Sequence, residues 1–226
     1  MPEAKYCNIE NYQKLQQLLQ SKDCSLVAVS KIKPVAAILE LYQHGQRDFG
    51  ENYVQELLDK APQLPPDIRW HFIGHLQSNK VKYIAPFVYL IHGVDSIKLL
   101  KEINKQGAKI QQKISVLLQV HIAQEETKFG FDAADLEALF TSPELAQWNH
   151  VQIRGLMGMA SFTDDTNRVA AEFDGLHQLF QKLQQQDLPQ TSMEILSMGM
   201  SGDYELAIAH GSNMVRIGSM LFGARK

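Results

Sequence analysis

The feature that most constrains the fold of this sequence is a regular alternation of short β-type runs with helical segments. The eight β-type runs are Leu26–Val29, Arg47–Gly50, Ile68–Ile73, Tyr89–Val94, Lys113–His121, His150–Met157, Glu194–Leu196 and Met214–Ile217. The helical patterns between them are Pro34–Gln43, Tyr53–Leu58, Asn79–Ile84, Ser96–Lys105, Asp132–Phe140, Asp165–Gln185 and Gly202–Ala209. Strands that alternate with helices imply βαβ units and a parallel sheet. Eight such units predict an α/β fold of the closed (β/α)8 type, with an open sheet of six or seven strands as the alternative.

The length of the chain agrees with one barrel. Barrels of this class occupy about 200–250 residues as one unit, and the chain has 226 residues. The Pro-rich stretch Ala61–Pro66 is short and fits a connection inside a βα unit, and no compositional break divides the sequence. We therefore expect a single domain over residues 1–226, with an extra N-terminal helix over about residues 8–20.

Charge, hydropathy and cysteine usage exclude several classes of protein. The net charge of −3 gives no general surface for nucleic acid. The longest apolar run, Ile84–Ile91, has eight residues and contains Pro86, whereas a transmembrane helix needs about 20. The N-terminus lacks the apolar segment of a signal peptide. Cys7 and Cys24 form no CxxC pair, so we predict no metal site and two free thiols, which are typical of the cytoplasm.

Two loops of the predicted barrel have the composition of a phosphate site. In this architecture the active site forms at the carboxyl ends of the strands, and phosphate usually binds after strands 7 and 8. Ser197–Gly202 and Gly218–Ser219 follow those strands here. Their glycines let backbone N–H groups approach an anion, a helix start adds partial positive charge, and the serines add hydroxyl donors. The alternative is that both segments are simply tight turns.

Lys31 is the candidate nucleophile. It shares strand parity with Val27 and Val29, so its side chain continues an apolar face. Apolar surroundings lower the pKa of an ammonium group and favour an amine that forms Schiff bases with aldehydes. A solvated lysine at a strand end is the alternative. Lys33 is the weaker candidate because the chain leaves the strand before Pro34.

A set of motifs identifies a known family. They are Val27–Pro34, Phe49–Glu56, Trp70–Lys80, Lys128–Phe131, Gly155–Met157, Leu196–Asp203, Val215–Ser219 and Phe222–Arg225. In this order they strongly resemble the pyridoxal phosphate homeostasis protein family, over nearly the whole chain. The resemblance implies a single modified TIM barrel like the N-terminal domain of alanine racemase.

The resemblance also implies a cofactor and its ligands. Pyridoxal 5′-phosphate (PLP) would be held as a Schiff base on Lys31. The cofactor-binding residues carried over from the family motifs are Lys31, Asn52, Ser197, Met198, Ser201, Arg216, Gly218 and Ser219. Arg216 would face the pyridine nitrogen and Asn52 would lie beside the cofactor. Ile32 and Ser219 stand where the family commonly has Thr; Ser219 keeps the hydroxyl, whereas Ile32 puts a neighbouring polar contact in doubt.

The family resemblance implies a regulator or carrier of intracellular vitamin B6 pools. PLP-dependent apoenzymes would be its recipients, and a monomer is expected because a dimerising domain is missing. The alternative is a small PLP enzyme, an amino-acid racemase or decarboxylase. An arginine partner disfavours protonation of the ring nitrogen and so weakens the cofactor as an electron sink. Only nine residues follow Ile217, so we expect no second domain to supply an opposing base. A third hypothesis is a phosphate-binding barrel without B6, such as a sugar-phosphate isomerase.

Overall fold

Eight parallel strands close into a barrel in the computed structural model of the protein, in chain order. The structure describes residues 6–123 and 129–223. The strands are β1 (Ser25–Val29), β2 (Asp48–Glu51), β3 (Arg69–Phe72), β4 (Val88–Val94), β5 (Ile114–Val120), β6 (Val151–Gly158), β7 (Thr191–Ser197) and β8 (Met214–Ile217). Strand β8 pairs with β1 in parallel, with Arg216 beside Val27. This pairing confirms the predicted (β/α)8 barrel and excludes the open sheet.

Helices connect the strands and cover the outside of the barrel. They are α1 (Ile9–Ser21), α2 (Val35–Gln43), α3 (Val54–Lys60), α4 (Val81–Ile84), α5 (Ile97–Ile110), α6 (Ala133–Thr141), α7 (Thr166–Gln184), α8 (Tyr204–Ala209) and α9 (Ser219–Phe222). Short 3-10 helices span Ala61–Gln63, Ser78–Lys80 and Leu145–Gln147. Helix α1 is the extra N-terminal helix expected from the sequence. Asp132 caps α6, since its side chain accepts a hydrogen bond from the backbone N–H of Asp135 at 2.7 Å.

Helix α5 shows where a predicted boundary was wrong. The sequence predicted its end at Lys105, but the helix continues to Ile110 and ends at Gln111, which has a left-handed φ of 55°. Gly107 therefore lies inside the helix. A Cβ atom at Gly107 would lie 2.5 Å from the carbonyl oxygen of His150. This glycine permits close packing of the helix against the start of β6, and it does not terminate the helix.

Strand parity divides the apolar residues into two cores. The larger core lies between the strands and the helices and includes Ala28 and Phe49. The smaller core fills the barrel interior with side chains from six strands: Val27, Leu90, Leu117, Met157, Ile195 and Met214. Alternate residues of a strand point to opposite faces of the sheet, so these six strands contribute to both cores. Lys31 has the parity of Val27, which directs it toward the carboxyl end of the barrel interior.

Cys7 and Cys24 are both free, as predicted, and both are buried. Burial raises the pKa of each thiol to about 12. Within residues 6–123 and 129–223, none of the helices has the length and apolar character that crossing a membrane requires.

Three polar side chains are hydrogen-bonded to one another inside the barrel. The Nδ1 atom of His71 lies 2.9 Å from Nε2 of His92, and the Nε2 atom of His71 lies 2.9 Å from an oxygen of Asp48. Burial alone would raise the pKa of Asp48, but hydrogen bonds from Arg69 and His71 outweigh it and hold the pKa at about 2. Burial lowers the pKa of His71 and lowers that of His92 well below its usual value. Both imidazoles are therefore neutral beside an ionised carboxylate.

We expect the free energy of unfolding of the ligand-free protein to decrease as the pH falls below about 6.5. In the folded state His71 and His92 stay neutral because burial lowers their pKa values. The unfolded chain binds protons at these residues, so acid favours unfolding by at most about 1.4 kcal/mol per pH unit for each histidine. Urea unfolding measured between about pH 5.5 and pH 7.5 tests this expectation.

A His92→Phe variant provides the comparison, since it removes one of the two buried imidazoles. Its stability should depend less steeply on pH than that of the wild type. Identical slopes for the two proteins would contradict a neutral, buried His92.

Candidate functional site

A cavity of about 460 Å³ opens at the carboxyl ends of the strands. Its lining residues come from the carboxyl ends of β1 and β8 and from the segments after β1, β2, β3, β6, β7 and β8: Val29, Lys31, Lys33, Asn52, Ile73, Met159, Phe162, Met200, Ser201, Gly202, Arg216, Gly218, Ser219 and Gly223. This volume is in the range of sites for small molecules and cofactors. The carboxyl ends of the strands are also where ligand sites form in barrels of this class.

The cavity brings together six of the eight residues predicted from the sequence. They are Lys31, Asn52, Ser201, Arg216, Gly218 and Ser219. Ser197 and Met198 are fully buried and do not line the cavity. The Met198 backbone N–H donates to Ser212 Oγ at 3.3 Å, and its carbonyl accepts from the same hydroxyl at 2.8 Å. The motif residues Lys128 and Ala224–Arg225 lie outside the described residues.

The two candidate lysines have different surroundings. Lys31 is partly buried and shares the cavity with the apolar side chains of Val29 and Ile73. Lys33 also lines the cavity, but its Nζ atom donates to the carbonyl oxygens of Phe222 at 2.8 Å and Gly223 at 3.4 Å. Lys33 thus ties the end of the described chain to the loop after β1. Both lysines lie at the cavity, and Lys31 is the one that the family motif assigns to the cofactor.

The backbone beside Lys31 adopts a strained conformation that is held by hydrogen bonds. Ile32 has a φ of 64°, and a non-glycine residue in this region costs of the order of 1–3 kcal/mol. The N–H of Ile32 donates to Glu56 Oε1 at 2.5 Å. One residue before Lys31, the N–H of Ser30 donates to Gly50 O at 3.0 Å. Ile32 is 64% exposed. Its contribution to the site is therefore through the backbone conformation of the loop and not through side-chain packing.

A buried ionic cluster supports this loop from below. Lys60 Nζ donates to Glu51 Oε1 at 2.8 Å and to Glu56 Oε1 at 2.6 Å. It also donates to the carbonyl oxygen of Ser30 at 2.8 Å, while the Ser30 hydroxyl donates to Glu51 Oε1 at 2.6 Å. Burial raises the pKa of Glu51, against the hydrogen bonds from Lys60 and Ser30, which lower it. The cluster fixes β1 and β2 where Lys31 enters the cavity.

Sequence reasoning missed this cluster and part of the cavity wall. Glu56 and Lys60 are four residues apart on α3, and this spacing is a signal that could have indicated an ion pair. Met159 and Met200 follow β6 and β7, so their position at the carboxyl ends of strands could have marked them. Phe162 is 99% exposed and also lines the cavity, and nothing in its sequence context marks it.

Arg216 places a fixed positive charge at the cavity. Its guanidinium is 4% exposed. One nitrogen, Nη1, donates to the carbonyl oxygen of Ser197 at 2.9 Å and to its hydroxyl at 2.7 Å, and Nη2 donates to the carbonyl oxygen of Gly158 at 3.1 Å. These partners are neutral. Burial lowers the pKa of Arg216 to about 10, so the group is still cationic at neutral pH.

The loops after β7 and β8 meet at the cavity. The N–H of Gly218 donates to Ser201 Oγ at 3.4 Å. A Cβ atom at Gly218 would lie 3.2 Å from the carbonyl oxygen of Val29. At Gly199, where φ is 91°, a Cβ atom would lie 2.7 Å from Ala207 Cβ. These glycines allow the close packing of the two loops, and Ser201 and Ser219 both line the cavity.

The charges and the remaining polar atom define what the cavity can bind. Among the described residues that line it, the titratable side chains are Lys31, Lys33 and Arg216, and none of the lining residues is a carboxylate. The Oδ1 atom of Asn52 is buried and has no hydrogen-bond partner within the described part of the chain. An unpaired buried acceptor costs about 1–3 kcal/mol, so this atom marks a place for a donor. The site suits an anion that carries a group reactive toward an amine.

The fold and the site define a barrel of the alanine racemase N-terminal type, and residues 9–226 match the family model described as "Alanine racemase, N-terminal domain". The pyridoxal phosphate homeostasis protein of Pasteurella multocida is 40% identical over 203 residues, which cover 88% of this chain and 86% of that protein. The human protein of the same name is 40% identical over 211 residues, which cover 88% of this chain and 76% of that protein. The chain belongs to the pyridoxal phosphate homeostasis protein family.

Solved structures agree with this assignment. PipY of Synechococcus elongatus without PLP has a TM-score of 0.88 and 40% identity, covering 95% of this chain and 99% of that one. The same protein with PLP bound has a TM-score of 0.85 and 39% identity, covering 95% and 99%. An alanine racemase from Bartonella henselae has a TM-score of 0.70 at 18% identity, and the match covers 92% of this chain and 56% of that one. This similarity shows a common fold and no more.

We expect Lys60→Met to lower the free energy of unfolding by about 3 kcal/mol, because it leaves the buried carboxylate of Glu51 without its cation. Lys60 is 8% exposed and Glu51 is fully buried. Urea unfolding of the variant measures the change.

The double variant Lys60→Met with Glu51→Gln is the control, since it removes both charges. It should recover at least about 1 kcal/mol relative to the single variant. A loss below about 1 kcal/mol in the single variant would show that the ion pair contributes little to stability.

Proposed function

We propose that this chain binds PLP in the cavity, through a covalent link between the cofactor's aldehyde and the amine of Lys31, and serves intracellular PLP homeostasis. The observation that carries the proposal is the position of Lys31 in one cavity with two serine- and glycine-containing loops and the buried Arg216. The names of the relatives and the PLP-bound PipY structure support it.

Each predicted residue has a role in this proposal. Ser201, Gly218 and Ser219 would hold the phosphate, because hydroxyl and backbone N–H donors at closely packed loops suit an anion. Asn52 would accept a hydrogen bond at its unpaired Oδ1 atom. Ser197 and Met198 would act from behind the cavity wall, Ser197 through its two hydrogen bonds to Arg216.

We propose binding without turnover as the role of this site. When bound, PLP supplies an electrophilic aldehyde and an electron-accepting ring. Arg216 would face the ring nitrogen, and a cation there disfavours protonation of that nitrogen. Racemisation also requires a second group that exchanges protons with the substrate. Among the described lining residues, the titratable groups besides Lys31 are Arg216 and Lys33, whose ammonium is bound to two carbonyl oxygens.

The proposal extends to the cellular role. We propose a single-domain, cytoplasmic monomer over residues 1–226 that passes PLP to PLP-dependent apoenzymes. The two free, buried thiols of Cys7 and Cys24 agree with a reducing compartment. The lining residues Phe162 and Met200 are exposed, which leaves an apolar rim at the mouth through which the cofactor would enter and leave.

Borohydride reduction of the PLP-loaded protein should fix the pyridoxyl group on Lys31, because we propose this amine as the group that binds the PLP aldehyde in the cavity. Peptide mass spectrometry locates the modified residue. The Lys33→Ala variant is the matched control and should keep the label, whereas Lys31→Ala should lose it.

Three other outcomes would revise the proposal. Labelling mainly at another lysine would contradict the assignment of Lys31. A visible absorption spectrum that does not change when PLP is added would favour a phosphate-binding barrel without B6. Equal labelling of wild type and Lys31→Ala would show that attachment is not specific to this cavity.

The small-enzyme alternative is favoured by the match to the alanine racemase N-terminal domain and has its own test. We expect the PLP-loaded protein to exchange the α-proton of L-alanine in deuterated buffer no faster than free PLP does. Proton NMR of the alanine signal measures the exchange. Exchange well above that rate, abolished by Lys31→Ala, would establish an enzyme.

A further inference from the structure

A continuous file of hydrogen-bonded side chains crosses the barrel interior beneath the cavity. It begins at Asp48 on β2 and passes through His71 on β3, His92 on β4 and Ser197 on β7 to Arg216 on β8. The atom-to-atom distances along the file are 2.9, 2.9, 3.4 and 2.7 Å. All of the links from His71 onward join fully or almost fully buried side chains. The PLP contacts proposed above make no use of the two histidines.

The carboxylate at one end of the file determines the direction of its first two hydrogen bonds. Asp48 is ionised at neutral pH, because the hydrogen bonds from Arg69 and His71 outweigh its burial and hold its pKa at about 2. It can therefore only accept, and His71 must donate from Nε2. A neutral imidazole carries one N–H, so His71 Nδ1 is an acceptor. His92 must then donate to it from Nε2.

The tautomer of His92 determines the direction of the remaining hydrogen bonds of the file. With its proton on Nε2, His92 presents a bare Nδ1 atom, and the Ser197 hydroxyl donates to it at 3.4 Å. The proton of Ser197 is thereby directed away from Arg216. The Oγ lone pairs face Nη1 of Arg216 at 2.7 Å. Arginine has only donors, so this orientation of the hydroxyl is the one that matches it.

We propose that His92 is a positioning residue for the PLP site, which acts by fixing the hydroxyl orientation of Ser197 and so the guanidinium of Arg216. The inference rests on the proposed function, because Arg216 matters here as the group that faces the cofactor. Without an acceptor at the position of His92 Nδ1, the Ser197 hydroxyl would lose its partner. Its proton would then compete with Arg216 for the available acceptors, and the guanidinium would have more than one arrangement.

Two substitutions of His92 distinguish the roles of its two ring nitrogens. Asparagine places an oxygen acceptor near the position of Nδ1, whereas glutamine places an amide nitrogen donor near the position of Nε2. We expect His92→Asn to release PLP at a rate within about threefold of the wild type, and His92→Gln to release it about tenfold faster. Release is measured by trapping the freed PLP with an apoenzyme and following its absorption.

Melting of both variants without PLP controls for stability, because each removes the imidazole from the same interior position. Equal release rates for the two variants would overturn the proposal, since a purely structural role does not distinguish an acceptor near Nδ1 from a donor near Nε2. Faster release from His92→Asn than from His92→Gln would also overturn it.

A measurement on the wild-type protein without PLP tests the orientation of the file directly. Long-range nitrogen–proton NMR correlation of the histidine rings should show that His71 and His92 are neutral and carry their proton on Nε2. A charged imidazole, or a proton on Nδ1 of either ring at neutral pH, would overturn the proposal even if neither variant folds. Failure of the wild type to bind PLP would instead refute the proposed function, while the nitrogen spectrum would still report on the file.

Discussion

Arg216 is a charged guanidinium inside a closed barrel, and much of the site depends on how that charge is accommodated. A buried charge is costly unless its hydrogen-bonding groups are satisfied. The acceptors described for Arg216 are the carbonyl oxygens of Gly158 and Ser197 and the hydroxyl of Ser197. They come from the ends of β6 and β7, while Arg216 itself lies on β8. The register of three adjacent strands must therefore be correct before the cation can be buried.

The opposite side of the cavity is built on a different interaction. There Lys60 is paired with Glu51 and Glu56, and the cluster holds the loop that carries Lys31. The carboxylates on β2 are thus already engaged: Glu51 with Lys60, and Asp48 with Arg69 and His71. As a result, the cations that line the cavity are not matched by carboxylates among the described lining residues, and the cavity favours an anion.

Sequence patterns predicted the parts of this structure that depend on local order. Strand parity placed Lys31 on the interior side, and β8 was predicted with its exact limits, Met214–Ile217. Strand parity distinguishes inward from outward side chains, but it does not show how far along the barrel axis a side chain lies. Ser197 was therefore predicted to line the cavity, although it lies behind Arg216. His71 is hydrogen-bonded to His92 on the next strand, 21 positions away in the sequence. Contacts across a barrel interior join residues that are distant in sequence and carry no local signal.

The same constraints bear on the proposal that this barrel of the alanine racemase type retains a cofactor without turnover. An enzyme of that type needs a proton-exchanging group beside the substrate in addition to the lysine. The lining positions contributed by the segment after β6 are held here by Met159 and Phe162, which cannot exchange protons. Arg216 is also fixed at its position by three hydrogen bonds, so its charge persists whatever the cavity holds. Under the proposed function, turnover would require a further acid–base group at such a lining position, whereas retention of an anionic aldehyde would use the residues that line the cavity.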